Sequence, residues 1–561
     1  MSDGPLIVQS DRTLLLDVDH PDGYACRIDI APFAELERSP EHIHTYRLTS
    51  LGLWNASAAG HDAESVVDAL IRWSRYSVPP ALLIDVADVM ARYGRLTLEM
   101  HETHGLILTT SDVAVMEEVL RTKGVAGLVG PRLDRNSVAV PRGERGRLKQ
   151  ALLKVGWPAD DQAGYVDGAA HLVSLADSGF ELRPYQTAAV DAFIAAGSGV
   201  VVLPCGAGKT LVGLAAIAKA GARTLILVTN IVAARQWRNE LLERTTLTPP
   251  EIGEYSGDRK EVAPVTVATY QILISRRKGA YPHMELFSAE DWGLIIYDEV
   301  HLLPAPIFRM TAEIQSRRRL GLTATLIRED GREADVFSLI GPKRYDAPWR
   351  DIEVQGWIAP ARCTEVRVTL TDDERMDYAL AEADERYRAG STAHSKLAVV
   401  ESLTRAAVAA GEPTLVIGQY IDQLEATAAQ LVAPLLTGKT PTAERERLYQ
   451  AFRQGQIPVL VVSKVANFSI DLPEASVAIQ ISGSFGSRQE EAQRLGRVLR
   501  PKDDGRPAHF FTVVARDTND QEFAARRQRF LAEQGYAYKI VDAEDVIGQQ
   551  WDFTAGDSAE T

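Results

Sequence analysis

Gly199-Val-Val-Val-Leu-Pro-Cys-Gly-Ala-Gly-Lys-Thr210 stands near the middle of a 561-residue chain, and its reading decides how the rest is read. Val200 to Leu203 is a short apolar run of the kind that forms a buried parallel strand. Pro204 ends it, because proline cannot donate to a sheet ladder. Gly206 and Gly208 let the backbone close round an anion with successive N–H groups turned inward. Lys209 opens a helical stretch, so the positive end of a helix dipole faces the same anion. The result is a phosphate cradle. Pro204, Cys205, Gly206, Ala207 and Gly208 supply the loop, Lys209 the cation for the β- and γ-phosphates, and Thr210 a hydroxyl for Mg²⁺. Leu203 occupies the place where the general pattern has its first glycine, so a tight glycine turn into a packed helix is the competing reading.

Downstream, strands and helices alternate. Thr224-Leu-Ile-Leu-Val-Thr, Val265-Thr-Val-Ala-Thr-Tyr270 and Trp292-Gly-Leu-Ile-Ile-Tyr-Asp-Glu-Val-His301 read as further buried strands. Their spacing predicts a parallel α/β sheet. Ligands on such sheets sit at the carboxyl ends of the strands, which puts Asp298 and Glu299 beside the phosphate loop. Asp298 is the residue to hold Mg²⁺, and Glu299 the one to orient and deprotonate an attacking water. His301 either reaches toward a second lobe or caps the next helix. Leu320-Gly-Leu-Thr-Ala-Thr-Leu-Ile-Arg-Glu-Asp330 is a fifth strand, whose hydroxyls Thr323 and Thr325 stand where a change at the phosphates would be sensed.

Thr414-Leu-Val-Ile-Gly, Val459-Leu-Val-Val-Ser and Val477-Ala-Ile-Gln-Ile-Ser predict a second α/β lobe of the same plan, with no phosphate loop of its own. Near its end comes Gln493-Arg-Leu-Gly-Arg-Val-Leu-Arg500. Arg497 and Arg500 lie three apart on one side of a helix or turn. Their guanidinium forks suit charge growing on γ-phosphoryl oxygens, and delivery from a separate lobe would tie hydrolysis to lobe closure.

The N-terminal third is less explicit. Leu6-Ile-Val-Gln, Thr13-Leu-Leu-Leu-Asp-Val and Cys26-Arg-Ile-Asp-Ile read as strands, the last by its period of two. Val66, Val67, Leu70, Ile71 and Trp73 recur at helical spacing, and Leu82 to Tyr93 reads as a second helix after Pro79-Pro80. Leu96, Leu98 and Met100, then Leu106 and Leu108, predict a hairpin turning near His101 to His104. Two helices and a hairpin resemble a winged helix. Ser111 is read as the cap of a helix from Val113 to Arg121. A last helix, Arg145 to Val155, carries Arg145, Arg147, Lys149 and Lys154, either as a DNA contact or as a solvated face. The His101/His104 pair reads as turn polarity, since no further ligand cluster accompanies it. Residues 160–179 are polar and Gly-rich and read as a linker.

Composition narrows the class. A formal charge of −15 argues against a surface that binds polyanions everywhere, so any nucleic-acid contact must lie in a local basic groove. Arg276-Arg-Lys278 and Arg317-Arg-Arg319 are local clusters of that kind, or plain surface charge. Three scattered cysteines exclude a disulfide scaffold and point to a reducing compartment. Without a signal peptide or an apolar run long enough to span a bilayer, the expectation is a cytoplasmic protein. The stretch from Asp542 to Glu560 carries no Lys or Arg and reads as an acidic tail.

Leu203-Pro-Cys-Gly-Ala-Gly-Lys-Thr, Asp298-Glu-Val-His, Gly321-Leu-Thr-Ala-Thr-Leu-Ile-Arg-Glu-Asp, Ile470-Asp-Leu-Pro-Glu-Ala and Gln493-Arg-Leu-Gly-Arg-Val-Leu-Arg together resemble the XPB family of superfamily 2 DNA helicases, in its bacterial form. The expected fold is therefore α/β, with two tandem RecA-like parallel-sheet motor lobes after an α+β N-terminal region. We divide the chain into a β-rich segment 1–60, a winged-helix-like α+β domain 61–165, a linker 166–180, lobes 181–350 and 351–545, and an acidic tail 546–561. The resemblance implies an ATP-dependent 3′–5′ DNA helicase in nucleotide excision repair, with ATP and Mg²⁺ as cofactors. Its partner would be single-stranded, forked or damaged DNA.

By the same resemblance Arg183 and Gln186 sit at the adenine, and Thr269 and Tyr270 lie on the DNA path. Arg328-Glu329-Asp330 is the family's Arg-Glu-Asp element, which contacts DNA and helps to separate strands. Gln493, Arg497 and Arg500 join the catalytic set, and a thumb-like insertion falls near Asp372 to Lys396. Two alternatives stay open: a double-strand translocase that moves without unwinding, and an ATP-gated DNA-opening scaffold for a nuclease partner.

Overall fold

The computed structural model describes residues 4–38, 42–176, 181–204, 206–277, 281–314, 317–324, 333–347, 361–382, 385–463, 475–483, 507–525, 538–548, 551 and 553. The chain divides into two compact units, 1–38, 42–203 and 208–347 in one, and 348–561 with the short pieces 39–41 and 204–207 in the other.

The first unit is built on a seven-stranded sheet in the order Ile252–Tyr255, Val265–Thr269, Thr224–Val228, Leu294–Asp298, Arg318–Thr323, Ser198–Val202 and Lys343–Asp346. Every neighbouring pair is parallel. Three inner strands, Ser198–Val202, Thr224–Val228 and Val265–Thr269, are buried along their whole length, which is why they read as apolar runs rather than alternating ones. The two strands absent from the sequence reading, Ile252–Tyr255 and Lys343–Asp346, are the short edges, where an apolar run is not required. Only the Arg318–Thr323 strand separates the phosphate-loop strand from the carboxylate strand, so their ends stand about 10 Å apart.

Two four-stranded sheets precede it. Leu6–Val8, Thr13–Asp17, Ile43–Arg47 and Glu35–Arg38 form the first, antiparallel throughout. The second runs Ser137–Ala139, Gly105–Thr110, Leu96–His101, Ala159–Asp161. The expected hairpin is the middle of this sheet rather than a free wing. At its turn, His101 Nδ1 accepts from the Thr103 and His104 amides.

Three local readings are corrected. Cys26-Arg-Ile-Asp-Ile lies in the helix Gly23–Ile30: Cys26 and Ile30, four apart, are buried while Ile28 between them is exposed. A five-residue alternation fits one helical turn as well as a strand, and packing decides. Asp112, not Ser111, caps Val113–Arg121, accepting from the Ala114 amide. The basic helix Arg145–Lys154 is solvated at Arg147 and Lys154 only. Arg145 and Lys149 are buried, and both hold Asp161, at 2.7 and 2.9 Å.

That cluster seats the N-terminal region on the parallel sheet. The Tyr165 ring lies under both Arg145 and Arg319, each guanidinium 5.5 Å from it, and its hydroxyl is 2.6 Å from Ser198 Oγ. Arg319 Nε donates to Leu339 O in the π-helical turn Val336–Ile340, and Gln150 Nε2 to Asp335 just before it. The expected linker is pinned as well. Ala169 N donates to Asp291 O and His171 N to Gly221 O, while a Cβ on Gly168, at φ +73°, would fall 2.3 Å from Gly293 N. Residues 177–180 lie outside the described residues.

Burial alone would push the Asp161 carboxyl up, but the charges of Lys149 and Arg145 and their hydrogen bonds hold it well below its ordinary 3.8. Folded, Asp161 binds fewer protons than it does unfolded once the pH falls toward that value. Its stabilising share is therefore complete above about pH 5 and drains away as the medium becomes more acid. Thermal unfolding of Asp161→Asn against the parent should show a large deficit at pH 7 that shrinks at pH 3.5.

The second unit carries another all-parallel seven-stranded sheet, in the order Leu435–Leu436, Val459–Ser463, Thr414–Gly418, Val477–Gln480, Ala508–Ala515, Ala361–Val368, Tyr538–Asp542. Short helices Asp372–Leu380 and Arg386–Ser391 occupy the place of the expected thumb. The acidic stretch begins as structure rather than tail. Helix Ala543–Gly548 buries Val546, and Trp551 and Phe553 set their rings on Phe511, at 5.1 and 6.0 Å. Residues 554–561 lie outside the described residues. Among the described residues no helix is long and apolar enough to cross a membrane.

Candidate active site

After the strand Ser198–Val202, the backbone turns with Ala207 N donating to Pro204 O, and Gly206 and Gly208 take φ +83° and +78°. Gly208 is the N-cap of the helix Lys209–Ala220, so Lys209 and Thr210 fall in its first turn. The Gln186 side chain occupies the space above Gly208: a Cβ there would meet Gln186 Nε2 at 2.4 Å. Gln186 is itself fixed, because the Arg183 amide donates to its Oε1 in a capping box that starts the helix Pro184–Ala196. Gln186 thus stands at the phosphate loop, and Arg183 next to it turns its guanidinium to the Tyr185 hydroxyl.

The strand Leu294–Asp298 ends in the two carboxylates. Glu299 takes φ +50°, a left-handed conformation that costs a non-glycine residue about 1–2 kcal/mol and recurs at functional sites. That turn leaves Glu299 Oε1 3.6 Å from Lys209 Nζ, and Oε2 3.6 Å from His301 Nδ1. His301 is buried, with Nδ1 2.7 Å from Thr323 Oγ1. The next helix, Ala305–Glu313, is capped at Pro304 and not by His301, which instead links the Asp-Glu turn to the Thr323 strand end.

Asp298 is held at three points. Its Oδ2 accepts from Trp237 Nε1 at 2.8 Å, its Oδ1 from the Glu299 amide, and its main-chain O from the Tyr270 hydroxyl at 2.8 Å. Burial, and then the Glu299 charge, push its carboxyl up to about 6, against the Trp237 hydrogen bond and the Lys209 charge. Two crowded carboxylates facing one lysine are short of positive charge. Both are hard oxygen donors of the kind that suits Mg²⁺, and Thr210 follows Lys209 in the first turn of the helix.

Thr269 and Tyr270 are buried, and the Tyr270 hydroxyl turns inward to Asp298 O. Cys205, Thr325, Arg328, Glu329, Asp330, Gln493, Arg497 and Arg500 lie outside the described residues. Motif reading missed Trp237 and did not assign His301 to Thr323. The signal available was faint: a tryptophan in a helix after an inner strand, and a histidine two places past the acid pair.

A phosphate loop, a strand-end Asp-Glu pair turned on its lysine, and a second parallel α/β unit define the class: a RecA-like ATPase of the helicase type. Residues 352–560 match the model of the ERCC3/RAD25/XPB C-terminal helicase, 179–328 the type III restriction enzyme res subunit, and 6–134 a helicase conserved C-terminal domain. A protein of Kineococcus radiotolerans named DNA 3'-5' helicase XPB is 71% identical, covering 98% of both chains. One of the same name from Mycobacterium tuberculosis is 68% identical over 98% of this chain and all of its own. At 34% identity stands a general transcription and DNA repair factor IIH helicase/translocase subunit XPB of Antonospora locustae, covering 96% of this chain and 82% of its own. The chain belongs to the XPB family of helicases.

Proposed function

We propose that this protein is an ATP-dependent 3′–5′ DNA helicase that couples hydrolysis to translocation and unwinding in nucleotide excision repair. The observation that carries the reading is the placing of Glu299 within 3.6 Å of Lys209, beside the half-buried Asp298. Lys209 binds the β- and γ-phosphates, Arg183 and Gln186 face the adenine, and Glu299 takes the proton of the attacking water. Thr210 and Asp298 would hold Mg²⁺, which when bound spreads the charge of the phosphates. Gln493, Arg497 and Arg500 are assigned to complete the site from the second unit. Arg328-Glu329-Asp330 is assigned to the DNA. Work in the cytoplasm beside a nuclease partner is part of the same proposal.

A local basic face supports DNA as the substrate. Lys260 lies over the Tyr255 ring and Arg276 over Tyr281, and Arg277 stands alongside. Among the described residues, these three cations make no ion pair with a carboxylate. The Arg276→Ala/Arg277→Ala protein is expected to flatten the plot of log affinity for duplex DNA against log salt by up to about 1.8. ATPase rates with single strand, duplex, fork and RNA side by side test the whole reading, together with strand displacement on 3′- and 5′-tailed duplexes. Stimulation by RNA alone would overturn it, whereas stimulation without displacement would leave a translocase.

A further inference from the structure

The helix Ile231–Arg244 follows the inner strand Thr224–Val228, and its start is capped by Asn230, whose Oδ1 accepts from the Ala233 amide. Ala234, Trp237 and Leu241, spaced three and four apart, are its buried stripe. Trp237 is 2% exposed and has two neighbours of consequence. Its indole N–H points at Asp298 Oδ2, 2.8 Å away across 61 residues of sequence. Its six-membered ring lies on Gly213 in the middle of the phosphate-loop helix, where a Cβ would come within 2.4 Å of Cη2 and 3.1 Å of Cζ3. A tryptophan that only filled space would not need its one polar atom on a carboxylate. Nor would it require a glycine in the interior of a facing helix, where glycine is unfavourable.

Asp298 is left with a definite capacity. The Glu299 amide takes one lone pair of Oδ1, and the Trp237 indole one of Oδ2. A carboxylate oxygen accepts twice, so each keeps a second lone pair for a cation or its water shell. The two donors hold the carboxylate plane at opposite edges. Without the indole, the Glu299 amide is the one donor among the described residues that opposes rotation about the terminal bond.

We infer that Trp237 is a positioning residue for ATP hydrolysis: it sets the plane in which Asp298 meets the divalent cation, and Gly213 is glycine to admit its ring. The inference rests on the reading of Asp298 as the cation-holding carboxylate. It predicts that Trp237→Phe, which keeps an aromatic ring beside Gly213 but loses the N–H, raises the Mg²⁺ concentration for half-maximal binding of a fluorescent non-hydrolysable ATP analogue by about 10–100-fold. Binding of the same analogue in EDTA should be unchanged, and kcat at saturating Mg²⁺ should fall while KM for ATP stays.

An unaltered Mg²⁺ requirement in a folded Trp237→Phe protein would overturn the inference. Should that variant not fold, the parent protein decides. With ¹⁵N-indole labelling and Mn²⁺ in place of Mg²⁺ on the bound analogue, one of the eight tryptophan signals is expected to broaden beyond detection. If none does, the inference is wrong. A parent protein that binds the analogue without any dependence on divalent cation would instead sink the ATPase reading itself.

Discussion

The Glu299→Gln protein is expected to bind ATP about as well as the parent and to hydrolyse it about 10²–10⁴ times more slowly, the usual yield of a placed general base. Glutamine keeps the size and one acceptor oxygen but cannot take a proton. The left-handed backbone at Glu299 holds the side chain between Lys209 and His301. Asp298, the neighbouring carboxylate, is held by Trp237 and the Glu299 amide. Single-turnover hydrolysis alongside nucleotide binding separates the outcomes. An unchanged chemical step would move the base elsewhere, whereas Lys209→Ala should weaken binding and hydrolysis together.

The second large effect lies in the other unit. Lys396 and Asp520 form a fully buried ion pair at 2.6 Å. Lys396 also donates to Ile481 O at 3.1 Å, and Asp520 accepts from the Ala515 amide and the Ser391 hydroxyl. Taking one partner away leaves a charge with no route to water. Asp520→Asn is therefore expected to destabilise this unit by about 3–5 kcal/mol. The double exchange Lys396→Met/Asp520→Leu removes both charges and should regain most of the loss. Denaturant unfolding, followed by a probe in the second unit, measures both. The pair also fixes Ile481 O, and Tyr387 donates to Gly483 O, the last described residue before the stretch that carries Gln493, Arg497 and Arg500. Loss of ATPase activity at temperatures below unfolding would show the same anchor failing earlier.

Much of this was legible beforehand because it is written at short range. The phosphate loop needs its glycines and Lys-Thr within a few residues, and the acids must follow directly on the strand that carries them. Inner parallel strands are buried on both faces and show as apolar runs, which is how Thr224–Val228, Val265–Thr269 and Leu294–Asp298 could be read in advance. Reading failed where a residue's meaning depends on a distant partner. Arg145 and Lys149 look like surface charge until Asp161 is found between them, and Cys26 looks like a strand residue until its neighbours are known. The stretch after Asp542 looks like a solvated tail until Trp551 and Phe553 are seen on Phe511.

The amino-acid order by itself determined the α/β class, the phosphate loop and the place of Asp298 and Glu299 at a strand end, since covalent spacing and local backbone preference suffice for each. Tertiary structure alone decided that Trp237 steadies Asp298, that Tyr270 turns inward, that His301 joins Thr323, and that the N-terminal region is seated on the first sheet by a buried ionic cluster. Contacts across 12 to 61 residues leave no periodicity in a chain, and only close packing brings such groups together.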